Sequence, residues 1–186
     1  MPTMSRPLKP RRRTRLWLVA LLVAALAPLG GVVVTAFLPP APTFLMVREA
    51  IRGRGLDYRW RSLDRISPHL VDAVIAAEDA RFCEHRGFDM KAIEKALDHN
   101  AQTSQNGGRR VRGGSTISQQ TAKNVFLWPS RDWVRKGLEA GYTVLIETVW
   151  GKRRIVEVYV NVGEWAPRVC GAQAATRHWF GKHADA

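Results

Sequence analysis

At 186 residues, with 46% hydrophobic and 24% charged side chains and seven Trp, the chain has the size and composition of one folded domain plus an appendage. Its two cysteines, Cys83 and Cys170, exclude a disulfide-rich scaffold and a four-cysteine zinc site, and leave open whether they pair. A formal net charge of +13 points to an anionic partner, whether nucleic acid, lipid head groups or a diphosphate, and does not choose among them.

The charge is unevenly placed. Arg6, Lys9, Arg11, Arg12, Arg13 and Arg15 make residues 1–15 a basic tail, and the first acidic residue is Glu49. Residues 16–38 carry no charge and are rich in Leu, Val and Ala. At ~1.5 Å rise per residue this run forms ~35 Å of helix, enough to cross the hydrocarbon core of a bilayer. Pro28, Gly30 and Gly31 would cripple a soluble helix and are tolerated within a membrane. The arginines before the span, with no basic residue directly after it, predict a cytoplasmic N-terminus and place everything past Pro40 outside the cytoplasmic membrane. A cleaved signal peptide is the competing possibility. Its apolar core would run only about 7–15 residues, and 35–37 and 39–41 are poor small-x-small cleavage sites, so an uncleaved anchor is expected.

Residues 39–60, with Pro39, Pro40, Pro42, Gly53 and Gly55, suggest a linker, and 61–186 the domain proper. Ile66 to Leu70 leads into a helical period through Val71, Val74, Ile75 and Phe82, which Ile93 and Leu97 continue over 91–98. The polar stretch from Asn100 to Gly114, rich in Gly, Gln and Arg, predicts a loop. Helices are expected from Thr116, over 131–149 with Val134, Leu138, Tyr142, Leu145, Ile146 and Val149 buried, over 152–160 after Gly151, and over 172–180. No strand pattern of comparable quality exists, so the fold class is all-α.

Four segments carry candidate chemistry. In EDARFCEHRGFD, residues 78–89, a continuing helix would put Glu78, Phe82 and His85 on one face. Glu78 follows an apolar run, and a carboxylate held against an apolar wall becomes a better proton acceptor at neutral pH. In GGSTISQQTAKN, residues 113–124, Thr116 and Gln119 fit a capping box. The glycines and the free N–H groups of the helix start would cradle a diphosphate, with Gln119 and Lys123 on one face. In RKGLE, Arg135 and Glu139 are i,i+4 partners beside Lys136, able to steady a departing anion or hold a divalent metal. RIVEVYVN, residues 154–161, reads as packing first. Each segment alone also fits a bland alternative: an exposed helix glutamate, a capped surface helix, a surface ion pair.

In this order the four segments resemble the motifs of the glycosyltransferase family 51 peptidoglycan polymerases. With one N-terminal span and no penicillin-binding module, the chain is similar to the monofunctional biosynthetic transglycosylases of that family, from about residue 45 to Lys182. The resemblance implies a lysozyme-like, two-lobed helical domain acting on lipid II, a disaccharide-pentapeptide on undecaprenyl diphosphate, and on the nascent glycan strand. Glu78 would be the base that deprotonates the acceptor 4-hydroxyl, with inversion at the donor. Asp79, Phe82 and His85 would shape that site, and Ser115, Thr116, Gln119, Gln120 and Lys123 would surround donor sugar or diphosphate. Arg135, Lys136 and Glu139 would assist the leaving group, Glu139 through Mg²⁺ or Mn²⁺. The implied setting is a single-pass protein of a bacterial inner membrane with a periplasmic domain, partnered by cell-wall synthesis or division proteins and not by nucleic acid. Domains of this kind continue past Trp179 to Lys182, so a C-terminal helical part is expected to be missing. A lytic peptidoglycan hydrolase and an inactive, shortened membrane scaffold are the rival functions. The first has no use for a diphosphate cradle.

Overall fold

The computed structural model describes residues 11–53, 58–105, 113–167 and 169–185. The start of the basic tail and residues 106–112 of the expected loop lie outside them. In chain order the helices are α1 (Arg11–Phe37), α2 (Phe44–Ile51), α3 (Pro68–Glu78), α4 (Met90–Gln105), α5 (Ile117–Phe126), α6 (Trp133–Val149), α7 (Lys152–Val162) and α8 (Ala172–Phe180), with a short 3-10 turn at Leu63–Arg65. Two short strands, β1 (Glu164–Ala166) and β2 (Val169–Cys170), pair antiparallel between α7 and α8. The fold is predominantly helical, as the periodicity predicts. A ribbon this short gives no alternation to detect.

The start of α5 follows directly from its sequence. Thr116 accepts the Gln119 N–H at 3.2 Å, and the Gln119 side chain accepts the Thr116 N–H at 3.1 Å, a complete capping box. Gly151 at the N-cap separates α6 from α7, and Gly181 in the left-handed region ends α8. Helix α7 is the centre of the domain. Ile155, Val156, Val158, Val160 and Val162 are buried and meet Ile117, Ala122, Ile146, Trp150 and Phe82 in one core.

Helix α1 is long and apolar enough to cross a membrane over Thr14–Phe37. Its last turns dock on the domain. Val32 is fully buried, its carbonyl accepts the Trp150 indole N–H at 2.8 Å, and the Arg154 guanidinium donates to the carbonyls of Thr35 and Leu38.

Four expectations are corrected. The segment 39–60 contains α2, capped by Thr43 and anchored by a fully buried Met46; its proline-flanked, eight-residue length hid the helical period. Helix α4 runs on to Gln105, so residues 100–105 of the expected loop are helical. Helix α3 stops at Glu78, because the Asp79 backbone (φ −158°) leaves the helix, and residues 79–87 form turns and bends. Glu78, Phe82 and His85 therefore share no helix face. On α6 the buried line is Arg135, Glu139, Thr143 and Ile146, whereas Val134, Leu138 and Val149 are 71%, 43% and 36% exposed. The polar edge of α6 turns inward because its ion pairs satisfy it there, which a hydrophobic period does not register.

Candidate functional site

Glu78 is the last residue of α3 and is exposed, together with Ala76 and Ala77 before it. An apolar wall lies on one side of its carboxylate, where Leu70, Ala73, Val74, Ala77, Tyr159 and Trp165 line a concavity of about 300 Å³ together with Glu78. What fixes the side chain is polar: the Gln120 amide donates to Glu78 Oε2 at 3.0 Å across from α5. Beneath it lies Tyr159 of α7, whose phenol pKa is pushed up, first by burial and then by the Glu78 carboxylate. It stays a neutral hydroxyl beside that charge.

Asp79, the next residue, points the other way. It is buried, with Oδ2 accepting the Ile117 N–H at 3.0 Å and His85 Nε2 lying 2.9 Å from Oδ1. Phe82 is 1% exposed, with Lys152 Nζ 4.4 Å from its ring centroid and the buried His85 ring edge-on to it. The Thr116 hydroxyl donates to Gly87 O at 2.6 Å. Gly87 has φ +90°, and a Cβ there would lie 2.8 Å from Thr143 Cγ2, so only glycine lets this loop close on α6.

Asp79, Phe82, Thr116 and Gln119 are buried, as is the His85 side chain, while Asp79 and Thr116 also line a neighbouring concavity that Glu78 shares. They hold the loop after Glu78 against the start of α5. The open anion cradle expected at that helix start is corrected as well. The N–H groups of Thr116, Ile117 and Gln119 are taken by Gln119, Asp79 and Thr116, so the positive end of the helix faces an internal carboxylate.

Two further concavities adjoin the apolar-walled one, the first through Ala77 and Glu78 and the second through Glu164. The first, about 370 Å³, is lined by Glu78 with Ala76, Ala77, Arg81, Lys91, Lys95 and the strip Gly113 to Thr116, where Ser115 remains exposed. The second, about 540 Å³, is lined by Gln120, Lys123, Asn124, Arg131 and Arg135, and by Thr43, Leu45 and Arg48 from α2. Gln120 belongs to the second and bonds Glu78 of the first, so it couples them. The face of α5 that lines the second pocket is Gln120, Lys123 and Asn124, without Gln119.

Charges on α6 act on Lys123 in the second pocket, whose wall also carries Arg48, Arg131 and the Glu164 carboxylate. Burial lowers the pKa of Lys123; Arg135 and Lys136 push the same way and Glu139 opposes them. Arg135 Nη1 donates to Glu139 Oε2 at 2.5 Å, and Lys136 Nζ bonds the other carboxylate oxygen. Arg135 Nε is buried with no hydrogen-bond partner among the described residues, a donor left for something that enters the pocket. Lys136 is not part of the pocket wall, being held to Glu139.

Glu139 does not fit a resident divalent metal. Both its oxygens are engaged by cations, and among the described residues no group of three or more His, Cys, Asp or Glu stands together as a ligand set. The cysteines are free, Cys83 exposed and Cys170 buried. Arg48, Arg131 and Tyr159 join the site without having been expected. Arg48 lies on the helix hidden in the apparent linker, and Tyr159 lies in a motif whose period signals only packing.

The sequence model of a family described as Transglycosylase matches residues 47–186. A biosynthetic peptidoglycan transglycosylase of Caulobacter vibrioides is 58% identical over 172 residues, covering 92% of this chain and 73% of that protein. Proteins of the same description from Xanthomonas campestris pv. campestris strain B100 and Pseudomonas aeruginosa are 50% and 48% identical, over 97% and 91% of this chain and 75% and 71% of their own lengths.

Proposed function

The chain belongs to the transglycosylase family and is a peptidoglycan glycosyltransferase, and we propose that it polymerises lipid II into glycan strands with Glu78 as general base. The observation that carries the assignment is the pairing of an exposed carboxylate with a cation-lined pocket through one amide, Gln120. Glu78 accepts the proton of the acceptor 4-hydroxyl as that oxygen attacks the donor anomeric carbon. The new C1–O4 bond forms as the bond from C1 to the diphosphate oxygen breaks, with inversion. The leaving lipid diphosphate carries the charge, so the cations belong on its side. Lys123, the free Nε–H of Arg135, Arg131 and Arg48 supply them. Glu139 and Lys136 orient Arg135, and none of the charge compensation is assigned to Mg²⁺ or Mn²⁺ on Glu139. Gln120 keeps base and leaving-group pocket at a fixed separation, which is where proximity contributes to rate. Helix α1 fits an inner-membrane anchor with the catalytic domain on the periplasmic side, the side on which glycan is assembled.

The test is Glu78→Gln, assayed with lipid II and separately with finished glycan. Loss of polymer from a variant that melts like the native chain supports Glu78 as base. Undiminished synthesis refutes it, and release of fragments from finished glycan by the native chain would favour a lytic hydrolase.

A further inference from the structure

The concavity of about 300 Å³ between α3 and β1 touches both halves of the proposed chemistry. Glu78 stands on its wall, and Glu164 is common to it and to the cation-lined pocket. Inversion needs the attacking oxygen, the donor anomeric carbon and the leaving oxygen roughly in line. The attacking oxygen is at Glu78 and the leaving diphosphate is among the cations, so the ring that carries the anomeric carbon belongs between them. A concavity at the small end of the ligand-pocket range, roughly 300–1,000 Å³, is suited to part of one sugar and not to a chain.

Its walls suit a substituent that is apolar at one end and accepts a hydrogen bond at the other. Helix α3 contributes Ala73 and Ala77, both small and exposed. From β1 comes Trp165. Glu164 pairs with Cys170 and Ala166 with Val169, so Trp165 is the extra residue of a β-bulge, a device that re-aims a side chain. Its indole N–H is buried and has no hydrogen-bond partner among the described residues. Gly163 shares the wall, and a Cβ there would lie 3.6 Å from Trp165 Nε1, so glycine keeps side-chain bulk off that N–H. A buried donor without a partner is costly to leave, and a ligand that brings an acceptor removes the cost.

We propose that Trp165 is a specificity-determining residue for the donor sugar, and that this concavity receives the sugar's 2-acetamido group. The acetamido methyl packs on Ala73 and Ala77, and its carbonyl oxygen accepts the Trp165 indole N–H. The sugars of peptidoglycan carry this group on the carbon next to the anomeric one. Held there, it fixes how the ring is turned about the line from Glu78 to the diphosphate. A sugar with a plain hydroxyl at that carbon leaves the indole N–H unpaired and the alanines uncovered. The proposal rests on Glu78 as base and on the cation-lined pocket as the diphosphate site, and its test separates the two.

Two labelled lipid II derivatives serve as probes, each 4-deoxy on the sugar far from the lipid, so that it donates and cannot accept. One keeps the 2-acetamido group on the sugar bonded to the diphosphate; the other has a hydroxyl there. Unlabelled lipid II is the acceptor, and label transfer is compared for the full native chain, Trp165→Phe and Ala73→Leu. The native chain should favour the acetamido donor in kcat/KM. Trp165→Phe keeps the aromatic body without the N–H and should lower that preference about fivefold, the worth of one hydrogen bond. Ala73→Leu, at an exposed helix position, should lower it by filling the concavity, and carries the test if Trp165→Phe fails to fold. Equal transfer of both donors by the native chain overturns the subsite and leaves Glu78 standing. So does a preference unchanged in the folded variants, even where both rates fall together, because that pattern belongs to a merely structural tryptophan. No transfer of either donor by the native chain overturns the function on which the proposal rests.

Discussion

Asp79→Asn tests whether the acid beside Glu78 ties the fold together or touches substrate. The Asp79 side chain is 3% exposed and receives both the Ile117 N–H, at 3.0 Å, and His85 Nε2, at 2.9 Å. In the variant the amide oxygen still accepts from Ile117, which turns the NH₂ group toward His85 Nε2. His85 must then carry its proton on Nδ1, a buried atom with no partner among the described residues. One hydrogen bond to a charged acceptor is lost and one buried donor is stranded, together about 2–4 kcal/mol. At about 2–4 °C per kcal/mol for a domain of this size, Tm falls by roughly 5–15 °C. Turnover falls too, because the loop that follows Glu78 and the helix that carries Gln120 lose their shared pin, while KM for lipid II stays near the native value. Thermal melts in detergent and steady-state kinetics read the two effects. A variant with an unchanged Tm and a raised KM would refute the reasoning, since that pattern belongs to a residue that binds substrate.

Three further predictions concern the rest of the site and its frame. Lys123 has its pKa lowered chiefly by burial, so affinity for the lipid diphosphate should fade on the alkaline side at a pH where an ordinary lysine is still charged; Glu139→Gln removes the one group that raises that pKa and should move the fade to lower pH. A pH profile of KM reads this, and an identical alkaline limb in both proteins would sink it. Burial pushes the Cys170 thiol up to about 11 while Cys83 is exposed, so an alkylating reagent at about pH 8 should modify one thiol in the native chain and two after denaturation. Gly171 has φ +83° and a Cβ there would meet the Asn161 carbonyl oxygen at 2.6 Å, so Gly171→Ala should cost at least about 1–3 kcal/mol in a melt, from backbone strain alone.

Helix placement was legible wherever the signal was local. Thr116 and Gln119 announce the start of α5, and Gly151 marks the break between α6 and α7, because caps and breakers act within a turn of themselves. Direction was not legible. Glu78 and Asp79 are neighbours of nearly equal chemistry, and only the stop of α3 between them sends one into solvent and the other into the protein. The buried end of Asp79 meets the Ile117 N–H, a contact across 38 positions that no window along the chain can register. The same cause explains α6. Its hydrophobic period picks Val134 and Leu138, but the side that faces Lys123 carries Arg135 and Glu139, and a satisfied ion pair can be buried as an apolar residue is. The motif as a string therefore names the candidate residues, while where each side chain goes belongs to the packing. One acid of the pair stays in solvent while the other holds the loop and the helix start together.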